Sequence, residues 1–164
     1  MLQSIKKTAN GLVALFKDGT SYNPLLGRTN GLAVPSGYIG EELINTASIS
    51  AFTTNTYADA GQITLTPGIW EGEGMVEFST GTAVVGTQLL IGYGSSPGNS
   101  ASGLGYPYRT LCPTMPTNSS QNILMLLPKR YIVDVNTIVY LKARVMFSAN
   151  AIAGDGALRA VRIA

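Results

Sequence analysis

Histidine is absent from this sequence of 164 residues, and cysteine occurs once, as Cys112. Histidine is the commonest general base in enzymes and the commonest protein ligand of transition metals. Its absence excludes a Ser-His-Asp or Cys-His catalytic arrangement and the familiar zinc sites. A single cysteine forms no internal disulfide. We therefore expect no catalytic residue, no metal site and no cofactor.

Charge is also scarce, since only 12% of the residues are charged, about half of the usual share. Few Glu, Lys and Arg side chains are available for the wet faces of long helices, whereas 19 glycines favour strands and turns. So little surface charge predicts that other subunits cover part of the surface. The alternative is a protein that is poorly soluble alone.

The net charge of +2 gives no indication of nucleic-acid binding. No apolar run approaches the roughly 20 residues of a membrane span, and no secretory signal is visible. We expect a protein that is made and assembled in a cytoplasm, without a nucleic-acid or membrane partner.

From Tyr38 onward, strand signals recur at the intervals of about 8–12 residues that are typical of a β-sandwich or jelly roll. The predicted strands are 42–52, 62–66, 69–79, 84–93, 121–127, 138–148 and 157–163, and the long loop 94–120 has room for one more. We expect an all-β, jelly-roll-like antiparallel sandwich of about eight strands.

Two of these strands alternate clearly between apolar and polar positions, as a half-buried strand does. The outward residues of the first include Glu71, Glu73 and Glu77, and those of the second are Tyr140, Lys142 and Arg144. Opposite charges would set the register if the two strands are neighbours or meet across a subunit boundary. The alternative is two unrelated solvated faces.

Paired carboxylates offer a route to glycan hydrolysis without histidine. Glu71, Glu73 and Glu77 are the only acidic cluster, and their even spacing places them on one strand face. That arrangement is typical of a wet surface, whereas hydrolysis needs two carboxylates across a bound sugar. The sequence favours a protein that is not an enzyme.

Residues 1–36 differ from the rest because they hold four basic residues and one acidic residue, a balance of +3. The other 128 residues hold seven basic and eight acidic groups, a balance of −1. We interpret 1–36 as a basic arm that orders on a partner, with 37–164 as the head domain; a floppy terminus is the alternative. Asp18-Gly19 could close a hairpin. The arm residues expected to anchor the protein are Leu2, Ile5, Lys6, Lys7, Leu12, Phe16, Tyr22 and Arg28.

The longest Gly/Ser-rich region carries an aromatic group made of Tyr93, Tyr106, Tyr108 and Arg109. Tyr and Arg are frequent anchors of contact surfaces, and sugar rings also stack on aromatic side chains. These residues are candidates for outer-loop contacts with a partner. The alternative is that the tyrosines only cap one end of the sandwich.

Four passages resemble the C-terminal domains of bacteriophage head-fibre and tail-fibre proteins. They are GLAVPSGYIGEELI at 31–44, LTPGIWEGEGMVEF at 65–78, TIVYLKA at 137–143 and GDGALRAVR at 154–162. The resemblance implies a jelly-roll head that forms a homotrimer like that of tumour necrosis factor, and it implies no catalytic residues.

Members of that family decorate capsids, tip fibres or bind host surfaces. This sequence lacks a long repetitive shaft, and about 36 residues at under 3.6 Å each are too short for one. We therefore expect a decoration or cement protein or short head fibre on the capsid of a virion, bound through its arm to the major capsid protein or another virion protein. The alternative is a tail-fibre or tail-tip protein that recognises a host surface glycan.

Overall fold

The computed structural model describes residues 34, 36–80, 86–99, 122–148 and 151–164, without the side chains of 80, 86 and 87. It also describes the backbone of the strands at 2–8, 11–16, 21–22 and 105–111. The described parts of the chain are built from strands and turns, and they contain no helix. The predicted all-β class is confirmed.

The strands follow each other along the chain and are numbered in that order. They are β1 Leu2–Thr8, β2 Gly11–Phe16, β3 Ser21–Tyr22, β4 Glu42–Ile49, β5 Tyr57–Leu65, β6 Gly68–Thr80, β7 Gly86–Gly94, β8 Gly105–Leu111, β9 Asn122–Met125, β10 Lys129–Val133, β11 Thr137–Phe147 and β12 Ile152–Arg162.

Two antiparallel sheets make up the sandwich. Sheet I has the order β10-β6-β12-β4, and β9 also pairs with β6, so that β9 and β10 follow each other along one edge. Sheet II has the order β5-β11-β7-β8. Most connections therefore cross from one sheet to the other, because β4, β6, β9, β10 and β12 lie in sheet I and β5, β7, β8 and β11 in sheet II.

The core lies between the two sheets, and the predicted alternation of β6 supplies much of it. Trp70, Val76 and Phe78 face inward and are fully buried, and each such side chain contributes about 1.5–3 kcal/mol through removal of its apolar surface from water. Sheet II supplies a matching set, which includes Leu89, Ile91, Leu141 and Val145.

Glycines set how closely the sheets approach. A Cβ on Gly156 of sheet I would lie 1.9 Å from the carbonyl oxygen of Ala60 in sheet II, so only glycine allows that contact. Gly72 and Gly74 leave room for Tyr131 and for Leu141 respectively.

The N-terminal strands form a sheet of their own with the order β1-β2-β3. Ala14 pairs with Tyr22 and Leu15 with Ser21, which is the pairing expected on either side of the predicted hairpin. Asp18 and Gly19 themselves lie outside the described residues. The boundary between arm and head at 36/37 stays a prediction.

Three strand predictions were incomplete. β12 begins at Ile152, five residues before the predicted start at 157. β10 was missed because Lys129–Val133 is only five residues long and follows Pro128, so no long alternation marks it. β5 begins at Tyr57, five residues before the predicted start, because Ala58 and Gly61 have low strand propensity and the polar Asp59 hides the pattern. The single strand expected within 94–120 is β8.

Candidate assembly surface

The outer surface of sheet II is closed by a loop of the chain itself. Lys142 projects from β11 to this side, yet its side chain is 0% exposed and forms an ion pair with Asp59 of β5. Its Nζ also donates to the carbonyl oxygen of Gly98 at 2.8 Å, while the Gly98 N–H donates to Asp59 Oδ2 at 2.8 Å. Lys142, Asp59 and the backbone of Gly98 thus provide hydrogen-bond partners for one another. We call this outer surface of sheet II the covered face.

Glycines of β7 make the covered face possible. Gly92 lies opposite Lys142 in register, and a Cβ on Gly94 would lie 2.9 Å from Lys142 Cγ. The lysine stem therefore crosses β7 where no side chain stands in its way. The glycines at positions 92 and 94 therefore allow the side chain of Lys142 to pack against β7.

Arg144 lies on the covered face one pair further along β11. Its Nη2 donates to Gln88 Oε1 at 2.9 Å, and its guanidinium lies 5.1 Å from the ring centre of Tyr57. The Asn99 side chain accepts a hydrogen bond of 2.9 Å from the Tyr57 backbone N–H. The segment after β7 is therefore fastened at two points, Gly98 and Asn99.

The expectation that Lys142 and Arg144 face solvent opposite Glu71, Glu73 and Glu77 is wrong within one chain. β6 belongs to sheet I and β11 to sheet II, so the two rows point away from each other on opposite sides of the sandwich. Alternation alone could not show that residues 95–99 fold back over the lysine. A meeting of the two rows across a subunit boundary stays a prediction.

The outer surface of sheet I is apolar at its centre and is left exposed by the residues that the structure describes; we call it the open face. Ile44 is 63% exposed and Met125 61% exposed, and Ile123, Leu127 and Met75 are also exposed. Met75 lies opposite both Met125 and Ala157 in register. A shallow groove runs between Ile44, Met75, Met125 and Arg159. Met and Arg are enriched at protein interfaces, so this composition is typical of a contact surface.

An ion-pair network crosses the open face beside the groove. Arg159 Nη1 lies 2.6 Å from Glu73 Oε1, and Arg159 Nε pairs with Glu42 on the neighbouring strand. Both hydrogen bonds raise the pKa of Arg159 above its ordinary value, first through Glu42 and then through Glu73. Since all three side chains are about half exposed, the pairs contribute little to stability.

Acidic groups outnumber basic groups on the open face. Glu71 lies opposite Arg130, but Glu77 lies directly opposite Asp155. Like charges in that position destabilise a sheet; the Ser48 hydroxyl, which donates to Asp155 Oδ1 at 2.5 Å, compensates in part. In total this face holds five carboxylates (Glu42, Glu71, Glu73, Glu77 and Asp155) and two guanidinium groups (Arg130 and Arg159), a surplus of three negative charges.

Tyr93, predicted as an outer-loop contact, is instead a core residue with 2% exposure. Its hydroxyl donates to the Gly72 carbonyl oxygen at 3.1 Å, and its ring meets Tyr131 edge-on at 5.9 Å. Burial raises the pKa values of both tyrosines, and the nearby Glu73 adds to this at Tyr93. The strand β7 runs to Gly94, so Tyr93 takes an inward position rather than the start of the loop.

Residues from three separate parts of the chain meet in one buried cluster around Arg162. Its Nε donates to Glu41 Oε2 at 3.0 Å and its Nη1 to the Pro67 carbonyl oxygen at 2.6 Å, while Nη2 donates to the Thr66 hydroxyl. The guanidinium lies 4.3 Å from the ring centre of Trp70. The cluster thus joins Glu41, the turn at Thr66 and Pro67, and the end of β12.

Two further features show that this cluster is structural. A Cβ on Gly68 would lie 2.1 Å from Arg162 Nη1, and the backbone there has a φ of +148°, so glycine is required. Burial alone would raise the pKa of Glu41, but hydrogen bonds from the Gly37 N–H, Ser36 and Arg162 hold it below its ordinary value. Each of the three side-chain nitrogens of Arg162 donates to a partner within the chain.

Several predicted site residues lie outside what the structure describes. Leu2, Ile5, Lys6, Lys7, Leu12, Phe16 and Tyr22 lie in β1–β3, and Tyr106, Tyr108 and Arg109 lie in β8, all described by backbone alone. Arg28 lies outside the described residues, as does Cys112. Their roles stay predictions.

Sequence reasoning missed the open face, although a signal was present. Ile44 stands among the polar outward residues of β4, and Met75 interrupts the acidic row of β6. Apolar residues at the solvent positions of two alternating strands indicate a contact surface once the strands are known to share a sheet.

In the described part of the chain, no three acidic or cysteine side chains come together as a metal site would require. Within the same residues, no helix has the length and apolar character needed to cross a membrane. No known protein family, no curated protein and no solved structure matches this sequence.

Proposed function

We propose that this chain is a non-enzymatic structural protein of a bacteriophage particle, a jelly-roll homotrimer that decorates and stabilises the capsid surface. The open face carries the assembly role in this proposal. A stable sandwich with exposed Ile44, Met75 and Met125 on one side needs a partner to cover that side. The resemblance of 31–44, 65–78, 137–143 and 154–162 to phage fibre domains supplies the kind of particle.

The strand order supports the jelly roll. When β9 and β10 are counted as one bent edge strand, the two sheets have the orders β4-β12-β6-β9/β10 and β5-β11-β7-β8. Consecutive strands alternate between the sheets, apart from the β7–β8 pair, as in two interleaved Greek keys. Viral capsid domains are among the proteins that use this architecture.

The trimer would act by avidity. Three basic arms, residues 1–36, extend from three heads toward the virion surface, and tethered weak contacts together bind far more tightly than one contact does. Arms that bridge neighbouring capsid subunits stabilise the shell against the pressure of the packaged DNA. Closed three-fold symmetry is a common way for identical heads to cover their apolar faces.

The copy number per virion tests the proposal. Quantitative mass spectrometry of purified particles measures this protein relative to the major capsid protein. A ratio near one, or near one third, is expected for a capsid decoration protein. Absence from particles would refute the virion role, and a few trimers per particle would refute the decoration role.

A low copy number would favour the tail-tip role with a host glycan as ligand. That role loses Tyr93 as a contact residue because Tyr93 is buried in the core. Tyr106, Tyr108 and Arg109 of β8 remain as its candidates. Substitution of Tyr106 and Tyr108 by Ala would then abolish adsorption to cells and leave particle assembly unchanged.

A further inference from the structure

The segment that covers Lys142, residues 95–99, is polar, and we call it the strap. Its sequence is Ser-Ser-Pro-Gly-Asn, without a large apolar side chain, and four of its five residues are exposed among the residues that the structure describes. Gly98 exchanges hydrogen bonds with Lys142 and Asp59. Asn99 accepts one from the backbone of β5. Segments that are held by hydrogen bonds, with few buried apolar contacts, open at a lower free energy than the core does.

Opening of the strap leaves no buried charge without a partner. Lys142 Nζ contacts Asp59 of β5 as well as the Gly98 carbonyl oxygen. It also lies 5.0 Å from the ring centre of Tyr140. The ion pair and the ring contact lie within sheet II, so both remain when Gly98 moves away, and water replaces the lost carbonyl group. The large cost of an unpaired buried charge is therefore avoided.

The sheet beneath the strap is held by other contacts. β5, β11 and β7 pair with one another along their lengths. Their inward residues include Leu89, Ile91 and Leu141, which are fully buried in the core. These pairings and core contacts lie outside residues 95–99, so the strap can leave sheet II without breaking them.

We propose that the strap opens while the sandwich stays folded, and that this opening controls access to the ammonium group of Lys142. The closed strap keeps the side chain of Lys142 at 0% exposure. The open strap presents the same amine, still paired with Asp59, on the outer surface of sheet II. The inference concerns the fold of one chain and does not depend on the proposed virion role.

Acetylation of Lys142 in the purified full-length protein tests the strap. The probe is the N-hydroxysuccinimide ester of acetic acid, and mass spectrometry of peptides measures the rate at Lys142. Gly98 has a φ of +68°, and a Cβ there would meet nothing within 4 Å, so Gly98→Ala strains the closed strap without a clash. We expect acetylation of Lys142 to become about five- to thirtyfold faster, because opening relieves the strain. Gly98→Asn should have a smaller effect, since Asn tolerates a left-handed backbone better.

Gly37→Ala is the matched control. Gly37 has a φ of +86° and also has nothing within 4 Å of a Cβ, but its N–H donates to Glu41 in the turn before β4. Both alanine variants should lower the urea midpoint that Trp70 fluorescence reports, whereas only Gly98→Ala should speed acetylation of Lys142. Equal acceleration in both variants would mean that global unfolding exposes the lysine. No acceleration in either would mean that the strap does not control access, and each of these results overturns the inference.

The urea dependence of acetylation is a second test that needs no variant. Opening of five polar residues exposes little surface, so low urea should change the rate at Lys142 far less than it changes the global unfolding equilibrium. The reagent must react slowly compared with closing of the strap, because the rate then reports the open population. A rate that follows the full urea dependence of global unfolding, or no acetylation of Lys142 under native conditions in any variant, would overturn the inference.

Discussion

The two outer faces of the sandwich differ in how they deal with charge. On the covered face, Lys142 is buried with Asp59 and Gly98, and residues 95–99 close over it. On the open face, Arg159 forms ion pairs with Glu42 and Glu73, and all three side chains are about half exposed. Exposed Ile44 and Met125 lie beside them. The first face is covered by the chain itself, whereas the second keeps large apolar side chains exposed among the described residues. Burial therefore distinguishes the ion pair of Lys142 from those of Arg159.

The largest expected effect is on the covered face. Asp59→Ala removes the ion-pair partner of a fully buried lysine and an acceptor of the loop N–H at Gly98. We expect a loss of about 3 kcal/mol in the free energy of unfolding, the low end for a broken buried pair, because Lys142 keeps its bond to the Gly98 carbonyl. Urea unfolding followed by Trp70 fluorescence measures it, with exposed Asp134→Ala as the control. A loss below about 1 kcal/mol would show that the covered face opens readily.

A smaller loss of stability is expected when Lys142 keeps its ion-pair partner but the space for its side chain is reduced. Gly94→Ala would place a Cβ 2.9 Å from Lys142 Cγ and 3.0 Å from its Cε. Overpacking of this kind costs about 1–3 kcal/mol. The same unfolding measurement applies, and Ser95→Ala, at the next and exposed position, should be neutral. A stable Gly94→Ala protein would mean that the lysine stem can lie elsewhere.

The smallest expected effect is on the open face. Glu73→Gln weakens one exposed ion pair of Arg159 and should cost under about 1 kcal/mol in the monomer, and Met125→Ser should change stability by about 0.5 kcal/mol or less. Measurements below and above the concentration of assembly separate folding from association. If Glu73→Gln costs as much as Asp59→Ala in the monomer, the contrast between the two faces is wrong.

The sequence predicted the class of fold and several strands because alternation is strong where one strand face is buried. Trp70, Val76 and Phe78 show this in β6, and all three are buried as expected. The same reasoning failed at Lys142 because alternation tells which side of a sheet a residue is on, not what lies above it. The loop that covers Lys142 is held through Gly98 and Asn99, which carry no periodic signal.

The contact surface was less predictable than the fold. Arg159, Glu42 and Glu73 come from three different strands, and their meeting depends on the order β6-β12-β4, which periodicity does not contain. Tyr93 was predicted as an outer-loop contact because it ends the predicted strand 84–93 beside the Gly/Ser-rich region, but it faces the core, and the glycines on either side of it make room for Lys142 on the opposite side of β7. The sequence around Tyr93 predicted an exposed side chain, whereas its position in the structure is in the core.

The position of β12 has a consequence for synthesis on the ribosome. β12 is the last strand of the sandwich in chain order, yet it lies between β6 and β4 at the centre of sheet I. Until residues 152–162 leave the exit tunnel, β4 and β6 have no common neighbour and Glu41 has no Arg162. Sheet I therefore forms late, because its central pairings join residues that are far apart along the chain.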